Sequence, residues 1–373
     1  MTNLDFGRYM LSSCVAAALL AGCGVLRQAQ DDMQPSIGAP GAMPQRPTPQ
    51  MMSARNVHPN AVNWFLYAGL QNARSLDVYR LHGNKPIRKF SGELGPVTIA
   101  LDPWSDVYTT DGNPSGGLIT GYTPGARSQL LEIGPYDWCR GLAFDAEGNL
   151  YVGCYASVRV YAARSKTRIR FIRQSGQTEA LAFDSKGNLY VAGLEGSGPR
   201  ALVAVFPPRG KKPARTITKG IQYPSALLVD KSNDLFVANC GFICYSSSGN
   251  RGSITEYAYG SATPLRTITD GISSPQAMAF GKNGLLFVAN YAYSGKGSVT
   301  VYSSGTTPVR TITAGIRNPD ALAVDPSGDV YVANYAYAKG RDSITVYTPD
   351  GSRLVRTIPA KSSGPLSLGI GKE

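Results

Sequence analysis

The chain has 373 residues, of which 43% are hydrophobic and 17% charged, and a formal net charge of +12. Its 42 Gly and 25 Pro exceed the roughly 7% and 5% of an average chain, which with so few charges favours many short strands over a helical bundle. The hydrophobic content excludes disorder throughout, and the length fits one large domain or two ordinary ones.

Leu11 to Leu20 form an apolar run preceded by Arg8 and followed by Ala21-Gly22-Cys23. The run falls short of the ~20 residues a membrane-spanning helix needs and suits the core of a signal peptide. Leu20-Ala21-Gly22-Cys23 resembles the lipobox of bacterial lipoproteins. That resemblance implies a signal peptide over 1–22, lipidation of Cys23 and an extracytoplasmic chain held to a membrane by its acyl groups. An ordinary secretory signal with an incidental Cys is the alternative. Gly24, where an Asp would resemble an inner-membrane retention signal, points to the outer membrane if two membranes exist. Nothing after Cys23 has 18 consecutive apolar residues, so no transmembrane helix is expected. Residues 23–60 read as the lipidated Cys and a Pro/Gln-rich tether without hydrophobic period.

From Trp64 the chain repeats itself. Ala321-Leu-Ala-Val-Asp325-Pro-Ser-Gly328-Asp-Val-Tyr-Val-Ala-Asn334 matches the stretches from Ala180 to Ala192 and from Gly141 to Gly153. Ala226–Asn239 and Ala277–Asn290 are further copies, and Ile99–Thr109 is a weaker one. The anchor at the end of the first run recurs at Asp102, Asp145, Asp184, Asp230, Gly281 and Asp325, a period of about 44 residues. Each copy holds two alternating runs joined by a turn such as Asp-x-x-Gly-Asn, which reads as a strand hairpin. A third run (Ser343 to Tyr347) and a fourth (Val355 to Ile358) complete a four-stranded unit. Asn63 to Phe90 supply only three strands, and Leu366 to Gly371 supply the missing one. The expectation is therefore all-β: a single seven-bladed β-propeller over 61–373, closed by the C-terminal strand pairing into the first blade, with six blades as the runner-up.

With their Val-Tyr-Val-Ala-Asn strings preceded by Asp-x-x-Gly, the repeats resemble YVTN-type and NHL repeats. Both are propeller families, and the resemblance implies the fold without an activity. On that scaffold the expected role is a binding or scaffold module for a protein or glycan partner in the bacterial envelope. The alternative is a metal-dependent lactonase-like hydrolase in the central channel, and the reading leans away from an enzyme. No catalytic set is found: the two His residues, His58 and His82, lie in the tether and at the edge of the first unit. No cofactor or resident metal, no nucleic-acid partner and a monomeric state are expected.

Export places the cysteines in an oxidising compartment. Across the Asp145–Asn149 turn the hairpin register sets Cys139 nearly opposite Cys154, and Cys240 and Cys244 are close in sequence. Two disulfides, Cys139–Cys154 and Cys240–Cys244, are expected, with a metal pair as the rival for the second. Positive charge recurs on the outer strands at Arg88, Arg215, Arg266, Arg310 and Arg356. This reads either as a surface for anionic lipids or wall polymers or as a solvated edge that resists strand-to-strand aggregation.

The loops that leave the second strand and those that lead into the next inner strand should share one face. That face should carry Tyr155, Asn239, Asn290, Tyr291, Tyr293, Asn334, Tyr335 and Tyr337 as binding residues, with Asp137, Trp138, Arg140, Glu179, Gln276 and Asp320 nearby. Tyr offers amphipathic contact area at low entropic cost; Asn side chains also cap loops through local backbone bonds. For the hydrolase reading, Glu179, Asn239, Asn290, Asp320 and Asn334 would have to converge on one metal. The Asp-x-x-Gly turns resemble calcium loops only superficially and read as ordinary turn chemistry.

Overall fold

Apolar residues alternating with small ones make strands that bury both faces, and the turns between them carry Gly, Asn and Asp. The computed structural model describes residues 63–372 apart from 92–94, 112–116, 137–138, 196–199, 241–251, 293–295 and 337–340. Among the described residues the one helical element is the 3-10 turn Pro124–Ala126.

The strands run in chain order from β1 (Trp64–Leu70), β2 (Ser75–Arg80) and β3 (Pro86–Ser91) to β4 (Thr98–Leu101), β5 (Val107–Thr110), β6 (Gly117–Tyr122) and β7 (Gln129–Tyr136). They continue with β8 (Gly141–Phe144), β9 (Leu150–Tyr161), β10 (Arg168–Phe183), β11 (Leu189–Leu194), β12 (Ala201–Phe206) and β13 (Arg215–Ile217). Next come β14 (Pro224–Val229), β15 (Leu235–Asn239), β16 (Ser253–Tyr257), β17 (Arg266–Ile268), β18 (Pro275–Phe280), β19 (Leu286–Asn290), β20 (Ser298–Tyr302) and β21 (Arg310–Ile312). The last are β22 (Pro319–Val324), β23 (Val330–Asn334), β24 (Asp342–Tyr347), β25 (Leu354–Lys361) and β26 (Pro365–Lys372).

They form a propeller arrangement with five four-stranded blades: β4–β7, β14–β17, β18–β21, β22–β25, and β26-β1-β2-β3. The remaining strands make one six-stranded sheet in the order β13-β12-β11-β10-β9-β8. This corrects the expectation of seven blades, or six. Among the described residues no sheet closes on itself. The physical reason lies in β10, which pairs with β9 over Arg168–Gln177 and with β11 over Thr178–Phe183. In the later repeats the same passage turns on Gly220, Gly271 and Gly315 (φ 78°, 71° and 78°) and then on Tyr223, Ser274 and Asn318 (φ 48°, 43° and 40°), each followed by Pro. Arg173-Gln-Ser-Gly-Gln-Thr178 has no such Gly-Ile-x-x-Pro turn, so the chain stays extended and joins the two sheets.

The first blade takes its inner strand from the other end of the sequence. β26 pairs antiparallel with β1 from Trp64↔Lys372 to Leu70↔Pro365. It also packs against β4 and β22, the inner strands of neighbouring sheets. A Cβ on Gly371 would sit 2.2 Å from Leu101 Cδ2, so a larger residue there would displace the Leu101 side chain.

Neighbouring sheets pack face to face. Ala277, Ala279 and Ala289 of one blade meet Leu322, Val330 and Val332 of the next, with Phe287, Val301, Ile312 and Tyr347 filling the same interface. Polar ties cross these interfaces. Tyr257 donates to Lys219 O (2.6 Å) and Tyr302 to Asp270 O (2.5 Å), and Tyr347 bonds Ala314 O. Three of the recurring arginines are used the same way: Arg88 donates to Gly125 O, Arg266 to Ser304 O, and Arg356 to Leu81 O and to Gly83 O (3.0 Å).

Leu368, 2% exposed, lies in the core shared by β26 and the neighbouring blade. Leu368→Ala is expected to lower stability by about 2–5 kcal/mol in urea unfolding. Leu265→Ala, at a position 60% exposed on an outer edge, should change it by less than about 0.5 kcal/mol.

Candidate functional site at the shared end of the inner strands

In four successive inner strands the register slips at one residue near the N-terminal end. The slips fall between Thr178 and Ala180, Pro224 and Ala226, Pro275 and Ala277, and Pro319 and Ala321. The residues set aside are Glu179, Ser225, Gln276 and Asp320, and a bulge of this kind re-aims its side chain. Arg140, just before β8, and Val97, just before β4, hold the corresponding places. The residue changes from strand to strand, giving Val97, Arg140, Glu179, Ser225, Gln276 and Asp320, with Leu366 set aside at the slip in β26.

Part of this set is internally satisfied. Thr98 Oγ1 donates to Arg140 O (2.6 Å), and Arg140 Nη1 pairs with Glu179 Oε2 at 3.1 Å, with side chains 14% and 12% exposed. Ser225 Oγ donates to Pro275 O (2.6 Å), and Gln276 Nε2 lies 3.5 Å from Cys240 Sγ. The remainder is not: Gln276 Oε1 and both carboxylate oxygens of Asp320 are buried without a hydrogen-bond partner. Burial pushes the Asp320 carboxyl well above the usual carboxylate range, and the neighbouring Asp342 pushes it the same way.

The repeated asparagines frame this end. Asn239, Asn290 and Asn334 are all buried, and their Oδ1 atoms accept from Gln222 N (2.9 Å), Ser273 N (2.9 Å) and Arg317 N (3.0 Å). Their Nδ2 atoms donate to Thr255, Thr300 and Thr345 Oγ1 at 3.0, 3.0 and 2.9 Å. These residues tie each connecting loop to its blade through both ends of their amides. Among the described residues no group of three or more His, Cys, Asp or Glu side chains gathers to hold a metal.

The tyrosines divide. Tyr155 is 53% exposed, Tyr335 is half-buried with its hydroxyl 3.5 Å from Asn72 Oδ1, and Tyr291 is only 2% exposed. Tyr293, Tyr337, Asp137, Trp138 and Cys23 lie outside the described residues. The Cys139–Cys154 disulfide is present, with Cα atoms 3.9 Å apart and Arg159 Nη1 3.3 Å from Cys154 Sγ. Cys240 is also disulfide-bonded, and Cys244 lies outside the described residues.

Sequence reasoning leaves out Ser225, although the Pro-x-Ala frame it shares with Gln276 and Asp320 marks its position. It also leaves out Asp342, which stands immediately before Ser343 where other repeats have Gly252 and Gly297. At the opposite ends of the inner strands the Asp turns are self-contained, as Asp325 Oδ1 accepts from Ser327 N and Asp329 N at 2.8 and 2.9 Å.

Similarity to known proteins extends to the fold alone. The chain matches no protein-family profile and no curated protein. Among solved structures, it resembles a functionally unknown protein from Desulfotomaculum acetoxidans with a TM-score of 0.64 and 13% identity, covering 83% of this chain and 98% of that one. Kuenenia stuttgartiensis hydrazine synthase gives 0.60 at 15% identity, covering 74% and 95%. The computationally designed Ika8 protein gives 0.57 at 14%, covering 81% and 86%.

A second electrostatic cluster lies at the turn between β4 and β5. Asp106 is paired with Arg164 at 2.6 and 3.0 Å, and Arg164 lies over the Trp104 ring. Burial, offset in part by backbone bonds and reinforced by Asp106, pushes Asp102 up from 3.8 to about 7. A carboxyl that holds its proton more tightly folded than unfolded stabilises fully below the unfolded value, and that contribution is lost as pH rises through the folded one. Thermal melts of Asp102→Asn beside the wild type should therefore show the variant gaining relative stability as pH is raised from about 4 to about 7.

Proposed function

We propose that this chain is a binding module of the propeller type, tethered outside the cytoplasm through a lipidated Cys23, that receives a protein or glycan partner at the end of the inner strands bearing Tyr155 and Tyr335. The observation that carries this reading is the bulged position. A frame of repeated residues holds a different polar side chain, Glu179, Ser225, Gln276 and Asp320, in four successive strands, which is how a rigid scaffold distributes specificity without changing its fold. Tyr155, 53% exposed at the same end, supplies contact area of the kind that binding surfaces use. The likeness of the repeats to YVTN and NHL units accords with a module of this type. The lipobox-like Leu20-Ala21-Gly22-Cys23 string supports the anchor.

No observation among the described residues favours a hydrolase built on the five-residue metal set. In cells fed a labelled fatty acid, the wild-type chain should carry label and sediment with membranes. Cys23→Ser should lose the label and release the chain; label retained in that variant would end the anchor reading. Tyr155→Ala combined with Tyr335→Ala should cut partner recovery from envelope extracts by at least about tenfold, equivalent to about 1.4 kcal/mol, with the fold retained by circular dichroism. Undiminished recovery would remove this surface as the contact.

A further inference from the structure

We propose that Asp320 and Asp342 together hold a hard divalent cation, calcium or magnesium, inside the blade β22–β25. The inference goes beyond the binding reading and does not rest on it.

Asp320 is 3% exposed and neither of its carboxylate oxygens has a hydrogen-bond partner. Asp342, 4% exposed, stands close enough to disfavour ionisation of Asp320. Each oxygen of Asp342 already accepts one backbone N–H, Oδ1 from Ala336 (2.8 Å) and Oδ2 from Gly364 (2.7 Å). A carboxylate oxygen has a second lone pair, so Asp342 keeps capacity for a ligand while those bonds fix its orientation. Among the described residues no basic side chain acts on either acid. Two buried carboxyls with no countercharge are unfavourable unless they remain protonated or a cation neutralises them.

The sequence supplies a second, independent observation. Asp320 occupies the position of Ser225 and Gln276, and Asp342 that of Gly252 and Gly297. The last repeat thus departs from its siblings at two places separated in sequence, both departures are acidic, and the register sets them at the same end of the blade on either side of Asn334 in β23. A repeat under only packing constraints has no reason to acquire both. Hard oxygen donors suit calcium or magnesium, and magnesium is commonly held by one or two carboxylates with water in the remaining positions.

The test is calorimetric titration of the EDTA-stripped full chain with calcium chloride and, separately, magnesium chloride at neutral pH. One saturable site for one of the ions is expected, and at a hundredfold excess over Kd the melting temperature should rise by about 4 °C. Asp320→Asn should abolish both effects, and Asp342→Asn should weaken binding at least about tenfold. Circular dichroism checks that the variants fold, and Asp320→Ser serves if Asp320→Asn does not. Absence of heat and of any melting shift in the wild type overturns the proposal. Binding undiminished in the folded Asp320 variant does so too, as does a variant that is merely more stable while ion binding stays unchanged, the mark of two acids sharing a proton.

Discussion

The structure depends on how closely the inner strands approach one another. Where sheets converge, a large side chain on both partners would force them apart, and close packing leaves no slack to absorb it. The inner strands meet this constraint with Ala at alternate positions, as in Ala277 and Ala279 or Ala321 and Ala323, and with Gly369 and Gly371 in β26. Farther out, Leu, Val, Phe and Tyr fill the widening space between the same sheets. The alternation of small and apolar residues along each repeat is the one-dimensional trace of this wedge.

Once sheets are fixed at this spacing, polar groups between them have defined partners. The tyrosine that ends the third strand reaches a carbonyl in the preceding turn, and the asparagine that ends the second strand holds the loop behind it. These bonds account for the repeated residues without invoking a ligand. What is left over is the bulged position, which the packing does not prescribe and which changes from strand to strand. Variation in side-chain chemistry at this end therefore comes from departures from the repeat more than from the repeat itself.

Much of the architecture was legible because periodicity reports burial directly. The hairpins about Asp145, Asp184 and Asp325, the pairing of Leu366–Gly371 with the first strands and the Cys139–Cys154 bridge all follow from register. The separate blades around β10 did not follow, because a continuous strand is decided by the absence of a turn between Arg173 and Thr178 rather than by any residue present there. For the candidate site, the sequence shows which residues recur but not their side-chain environments. Asn290 and Tyr291 stand out in sequence because they recur, and the structure uses Asn290 for framing and buries Tyr291. Asp342 stood unnoticed because it replaces a glycine, and its significance appears only when its proximity to Asp320 is known.

The pairing of β26 with β1 has a consequence for biogenesis. A nascent chain emerging from the ribosome presents Trp64–Leu70 some 300 residues before its partner Pro365–Lys372 is synthesised. Throughout that interval one edge of the first sheet offers unsatisfied backbone groups to any neighbouring strand. If the chain is exported, holding it unfolded until the last residues have crossed would let both edges meet at once and would spare the cell an aggregation-prone intermediate.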